Sequence, residues 1–262
     1  LKKNEKLDAL GCIKRFASLN EGEKEDETQF DDLSQVALIP YIQGCVERDK
    51  ITRQGEFTDL LTNFLKSIPD DDGKYKYQNT NILWDNVEAL RQNKLFRAKY
   101  YYFFAGKEEL DKKGAWKSYR KMVKECGRLP TYAAILVGDG DNMGKLIKQI
   151  PSADGHRIIT DYLSQFAEEV ESCITEDDYG GCLIYAGGDD VMAYIPLHTL
   201  LECADKIQKL FKDIMEKAID KLKLNLQLEK VEVPTFSIGA AIVHHAAPLD
   251  RALEMAREAE QA

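Results

Sequence analysis

From Pro130 onward the apolar residues come alternately in short unbroken runs and in stripes three or four positions apart, the periods of buried strand and amphipathic helix. Tyr132–Val137 predicts a strand, and Asn142 is placed to cap a helix opening at Met143. Ile158, Tyr162, Phe166, Val170 and Cys173 mark a helical stripe. Cys182–Tyr185 and Val191–Ile195 predict two strands joined through Gly187-Gly188-Asp189-Asp190, a hairpin signal. Ala204, Ile207, Phe211, Ile214 and Ala218 line one face of a long helix over 200–222. Thr235–Val243 predicts a last strand, and Leu249, Leu253 and Ala256 the inward face of a last helix. The order is β-α-β-β-α-β, so the predicted class is α+β with a ferredoxin-like arrangement, the layout of polymerase and cyclase palms.

The stretch 1–129 reads differently, as a mostly helical region. Leu7, Leu10, Ile13 and Phe16 recur at three-residue spacing, and Leu33, Val36, Ala37, Ile42 and Val46 continue helically, with Pro40 expected to interrupt or kink them. The acids of 21–27 and of Asp70-Asp71-Asp72-Gly73 read as solvated loops. A boundary is expected near Gly127–Pro130, which separates this region from the palm at 130–262.

Charge changes the picture more than bulk composition does. The chain has 262 residues, 44% of them hydrophobic and 31% charged, and a net charge of −9. Between Arg91 and Arg128 twelve Lys/Arg face four Asp/Glu, a local +8 that leaves −17 elsewhere. That basic segment interleaves its cations with Phe96, Tyr100–Phe104, Trp116 and Tyr119, a pattern able to track and stack a nucleic-acid strand or simply to pack a helix with a solvated face. The six cysteines are scattered without a Cys-x-x-Cys, which predicts free thiols in a reducing cytoplasm. No run approaches eighteen apolar residues, and the polar start at Leu1-Lys2-Lys3 has neither a signal-peptide core nor an initiator Met, which points to a piece of a longer protein.

The candidate chemistry lies at strand ends. Asp139 closes the first strand and Asp189 and Asp190 close the hairpin, so the fold should bring them face to face. Carboxylates on rigid strand ends are hard ligands for Mg²⁺ or Mn²⁺, and two such ions can activate a 3′-hydroxyl and neutralise departing pyrophosphate. Gly187 and Gly188 leave room for a nucleotide, and the backbone N–H groups of Asn142, Met143, Gly144 and Lys145 can receive phosphate oxygens. Gly138-x-Gly140 is not a dinucleotide fingerprint, because its third glycine position is Met143. No nucleophilic triad and no His-Asp dipeptide stands out.

At these residues the chain resembles the large polymerase/cyclase subunit of type III CRISPR effector complexes, in its Cmr-type branch. Val137-Gly-Asp-Gly-Asp-Asn-Met-Gly144 is similar to that family's first metal motif, and Tyr185-Ala-Gly-Gly-Asp-Asp-Val-Met-Ala-Tyr-Ile-Pro196 to its GGDD hairpin. Phe236–Leu249 with Ala252–Glu260 is similar to its closing strand and helix, and Leu7–Arg15 to the helical stretch before the palm. The resemblance implies a palm that converts ATP into cyclic oligoadenylates when a guide-RNA complex, assembled with sibling subunits, captures target RNA. It implies Asp139, the Gly140 carbonyl, Asp189 and Asp190 around the metal ions, with Asp141, residues 142–145, Ser237 and His244 near the nucleotide. The chain departs from the family in showing no HD nuclease, only Cys12 where a zinc-binding pair is common, and Ala262 where a Lys usually follows. Two other readings stay open: a silent scaffold that binds guide RNA and sibling subunits, and a cyclase using GTP.

Overall fold

The computed structural model describes residues 33–52, 55–67, 114–175, 179–226 and 231–262. The expectations for Leu7–Phe16, for the loops at 21–27 and 70–73, and for 91–113 of the basic segment lie outside those residues. In chain order come α1 (Leu33–Thr52), α2 (Glu56–Ser67), α3 (Ala115–Cys126), β1 (Tyr132–Gly140), α4 (Met143–Gln149) and α5 (Ala153–Thr175). They are followed by β2 (Cys182–Gly187), β3 (Asp190–Ile195), α6 (Leu200–Leu226), β4 (Phe236–His244) and α7 (Leu249–Glu260).

The four strands form one sheet in the order β2-β3-β1-β4, antiparallel at each pairing, which is the ferredoxin-like topology. Alternation along β1 sends its side chains to two different cores. Ala134 and Leu136 pack with Phe166, Val170, Ile207, Phe211 and Ile214 of α5 and α6. Ala133, Ile135 and Val137 face the opposite way, toward Ala252 and Ala256 of α7 and toward Leu33, Val36 and Ala37 of α1. Helix α1 therefore backs the sheet. It also runs through Pro40 without the expected break. A helix-interior proline costs ~3 kcal/mol, and the burial of Val36, Leu38, Ile39 and Ile42, each at most 2% exposed, is large enough to offset it.

The α1, α2 and α3 helices share a second apolar cluster containing Leu38, Ile42, Leu61, Phe64, Tyr119 and Met122. Asp49 of α1 caps α2 from outside, accepting the N–H groups of Phe57 at 3.0 Å and Thr58 at 2.7 Å. These bonds outweigh burial and hold its carboxyl below the usual range. Cys45, Cys126, Cys173, Cys182 and Cys203 are free thiols, as expected. Among the described residues no helix is long and apolar enough to cross a membrane.

Candidate active site

The end of the sheet that holds Gly140, Gly187 and Phe236 gathers the acidic residues. Register places Gly138 opposite Val191 and Asp139 opposite Ser237, so β1 lies between the hairpin and β4 at this end. The hairpin is tighter than the sequence indicates. β2 and β3 pair as far as Gly187 with Asp190, leaving only Gly188 and Asp189 as the loop. Gly188 carries φ +66° and Asp189 does not turn positive, the sign pattern of a II′ turn. Asp190 is thus a strand residue, and Asp189 stands at the tip.

Asp139 and Asp190 project from adjacent strands on one face and lie within hydrogen-bonding reach of each other. Gly140 lets the hairpin tip at Asp189 close against the end of β1. A Cβ there would sit 2.8 Å from the Asp189 Cβ and 3.1 Å from the Phe211 ring. On the opposite face of the sheet from Asp139, under Gly140, Phe166, Phe211 and Phe236 form a three-ring cluster with centroids 5.0, 5.3 and 4.8 Å apart. The cluster seats the start of β4 against α5 and α6.

Partial desolvation raises the Asp139 carboxyl to about 6, assisted by Asp189, Asp190 and Glu260, all of its own sign. Desolvation and the charge of Asp190 likewise raise Asp189, although a hydrogen bond from its own N–H works the other way. Glu260, at the end of α7, is a member of this group that the sequence did not disclose. It arrives because α7 crosses β4 at Gly239, where a Cβ would overlap the Glu260 backbone.

Asp141 belongs to a different arrangement. Its carboxylate accepts the Thr235 hydroxyl at 2.6 Å and the Ser237 hydroxyl at 2.8 and 3.0 Å, and its N–H donates to the Thr235 carbonyl at 2.8 Å. It ties the end of β1 to β4. Asn142 precedes α4 as predicted but does not cap it. At φ 62° its side chain makes no capping bond and instead accepts from the Lys145 ammonium at 2.7 Å. The Lys145 N–H is already donated to the Asn142 carbonyl, so of the four N–H groups expected to meet phosphate this one is engaged. Met143 is buried in the core, and Gly144 is exposed. Asn142, Lys145 and Gln149 line a polar cleft of about 240 Å³ together with Glu232 and Thr235.

Two expectations need correction. His244 pairs with Tyr132 at the other end of β4, seven positions from Ser237, or ~23 Å at strand rise. It stacks on His245 and meets Tyr132 edge-on, far from the carboxylates. Gly187, expected to leave space for nucleotide, is overlaid by the Tyr185 side chain, whose hydroxyl donates to the Gly187 carbonyl at 3.2 Å.

Among the described residues no three His, Cys, Asp or Glu side chains already converge as a metal cage. The site offers two carboxylates in contact, a third beside them, and no offsetting cation among the charges that raise Asp139. Hard oxygen donors held together against their own repulsion fit a divalent cation such as Mg²⁺. The sign of the pH effect follows. Because the folded value of Asp139 is raised from 3.8 to about 6, its stabilising contribution is whole below 3.8 and is lost as pH rises through 6. Asp139→Asn should therefore flatten the fall in melting temperature across that window in metal-free buffer, and Mg²⁺ should flatten it in the parent protein. Calorimetry at several pH values reads both effects, and a parent profile indifferent to Mg²⁺ above pH 6 would remove the case for cation binding.

The profile of the family described as Cas10/Cmr2, second palm domain, matches residues 132–262. Among curated relatives, the CRISPR system Cmr subunit Cmr2 of Pyrococcus furiosus is 37% identical over 161 residues, covering 52% of this chain and 17% of that protein. The chain thus spans a minor part of that relative's length. Among solved structures, a Csm1–Csm4 cassette in complex with AMPPNP is 16% identical, with 50% of this chain and 19% of its own covered at a TM-score of 0.38. A bacterial light-regulated adenylyl cyclase is 18% identical, with 50% and 40% covered at 0.32. Likenesses of that size fix no residue correspondence.

Proposed function

This chain belongs to the Cas10/Cmr2 family, and we propose that its palm converts ATP into cyclic oligoadenylates within an RNA-guided type III CRISPR complex of the cytoplasm, switched on by target RNA. The observation that carries this reading is the contact of Asp139 with Asp190 across β1 and β3, inside the span that the family profile matches.

Asp139 and Asp190, with Asp189 and the Gly140 carbonyl, are the oxygen donors that would hold Mg²⁺ or Mn²⁺. When bound, such ions supply Lewis acidity to the attacking 3′-hydroxyl and to the departing pyrophosphate. The protein's own part is placement. Asp141, braced by Thr235 and Ser237, fixes the end of β1 so that Asp139 keeps its register. The polar cleft beside α4, where the Lys145 ammonium rests on Asn142, would receive the triphosphate, with Glu232 the one acid in its described lining. Guide RNA, target RNA and sibling subunits are the partners this reading requires.

The test is made on the full-length protein in its guide-RNA complex, given ATP or GTP, Mg²⁺ or Mn²⁺, and target RNA, with products identified by mass spectrometry. Cyclic oligoadenylates that appear only with target RNA are the expected result. A cyclic guanylate product would favour the GTP reading, and an intact RNA-bound complex that makes nothing would leave the scaffold.

A further inference from the structure

The structure assigns the outer face of α3 as a contact for the phosphodiester backbone of RNA, an inference that rests on the RNA-guided reading for the identity of its strand. Lys117, Arg120, Lys121 and Lys124 fall at offsets of 0, 3, 4 and 7 and so form one stripe along the helix, and Arg128 follows just past its end beyond Gly127. All five are exposed, and Glu125 is the one acid of that helix. Lys124 lies 3.5 Å from Glu125, whereas Lys117, Arg120, Lys121 and Arg128 make no ion pair among the described residues. The long helix α6 shows the ordinary alternative. There Lys209 pairs with Asp205 at 2.6 Å and Lys212 with Glu216 at 3.9 Å, so cations and acids alternate and offset each other.

The inner face of α3 fixes this stripe in place. Ala115, Tyr119 and Met122 are buried against α1 and α2, and Trp116 stacks on Tyr119 with centroids 5.5 Å apart. Tyr119 therefore serves the core, and the stripe recognises charge. Beside it runs a groove of about 680 Å³ that Lys117, Arg120, Lys121 and Lys124 share with Glu125 and with the apolar Trp116, Tyr119 and Val123. From Lys117 to Lys124 the stripe covers ~10 Å at helical rise.

A protein partner fits this face less well. Protein interfaces centre on apolar and aromatic anchors and are depleted in Lys, whereas among the described residues none of the large exposed hydrophobic side chains belongs to α3, where Trp116 is only half-buried. A polyanion has no such need. In a chain of net charge −9, four cations on one face, with Arg128 just beyond, against one acid mark a local reversal of sign.

Binding of a labelled single-stranded target RNA to the full-length protein in its complex, titrated from 50 to 200 mM KCl, tests the assignment. Each phosphate neutralised on a single strand contributes about −0.7 to the slope of log affinity against log salt. The variant Lys117→Gln/Arg120→Gln/Lys121→Gln/Lys124→Gln should lower that slope by about 2.8, so that the fourfold rise in salt costs the parent roughly 50-fold more affinity than the variant. The α6 variant Lys206→Gln/Lys209→Gln/Lys212→Gln/Lys217→Gln, equal in charge removed, should keep the parent slope. Equal losses in both variants would reduce the effect to net charge and overturn the assignment. So would an α3 variant of parental slope that still captures RNA and makes product, which leaves the functional reading standing. Loss of a sibling subunit with the RNA slope unchanged would transfer the face to a protein. A parent complex that captures no RNA at 50 mM KCl would sink the RNA reading itself.

Discussion

Asp190→Asn in the full-length protein is expected to reduce nucleotide product by roughly 10³-fold or more, because several kcal/mol of transition-state charge stabilisation depend on the metal ligands at about 1.4 kcal/mol per decade. Asp139→Asn should do the same. The two carboxylates lie within hydrogen-bonding reach on neighbouring strands, and removing either leaves the other without the partner needed to share a cation. Asp141→Ala makes the informative comparison, since it lies two positions from Asp139 and carries the same charge. Its carboxylate is occupied by two hydroxyls, so its loss should cost ~1–3 kcal/mol of stability, and product formation by the folded protein should fall less than tenfold. Product per folded molecule, with melting temperature measured beside it, separates the cases. If Asp141→Ala lost activity as Asp190→Asn does while staying folded, the brace described here would be a ligand. If Asp139→Asn and Asp190→Asn kept parental activity, the site would lie elsewhere.

Phe211→Ala should be the most damaging substitution in the core, at about 3–5 kcal/mol. Phe211 is fully buried, and its ring meets Phe166 and Phe236 and lies under Gly140. Truncation leaves a cavity between α6 and the end of β1 that β-sheet hydrogen bonds cannot collapse. Phe211→Leu retains most of the volume and should recover much of the loss. Denaturant unfolding reads both values, provided the slope against denaturant is unchanged. A cost near 1 kcal/mol for the alanine variant would mean that the rings contribute little to seating the site. Because the cavity opens under Gly140, next in sequence to Asp139 and against Asp189, activity should decline in the folded fraction as well, through a displaced strand end.

The strand order was legible because short apolar runs bounded by glycine and polar residues have one economical reading, and the two acidic strand ends pointed to the candidate site. Asp139 and Asp190 do meet, as that reading required. The misplacement of His244 has a simple source, since nearness to a motif along the chain does not say which end of the sheet a residue reaches. β4 runs antiparallel to β1, so its first residues, Thr235 and Ser237, arrive beside Asp141, while His244 is carried to the far end. Position in a motif suggested closeness, and polarity of pairing decided it. Asn142 was recognisable as the residue before a helix, but a left-handed backbone turned its amide to Lys145 instead of the helix N–H groups. Glu260 was hidden for a third reason. Its nearness to Asp139 depends on how closely α7 crosses β4 at Gly239, a contact between segments that share no local pattern.

The face of the sheet that bears Asp139 and Asp190 is closed in part by Leu33, Val36 and Ala37, residues that precede the matched span of 132–262. The strand carrying the first carboxylate therefore owes its seat to a helix outside the region by which relatives are recognised. A change at Val36 is a lesion in the footing of the active-site strand, although nothing near it bears chemistry. Exchange of palms between relatives at residue 132 would likewise deliver the carboxylates without one of the walls that keeps them in line.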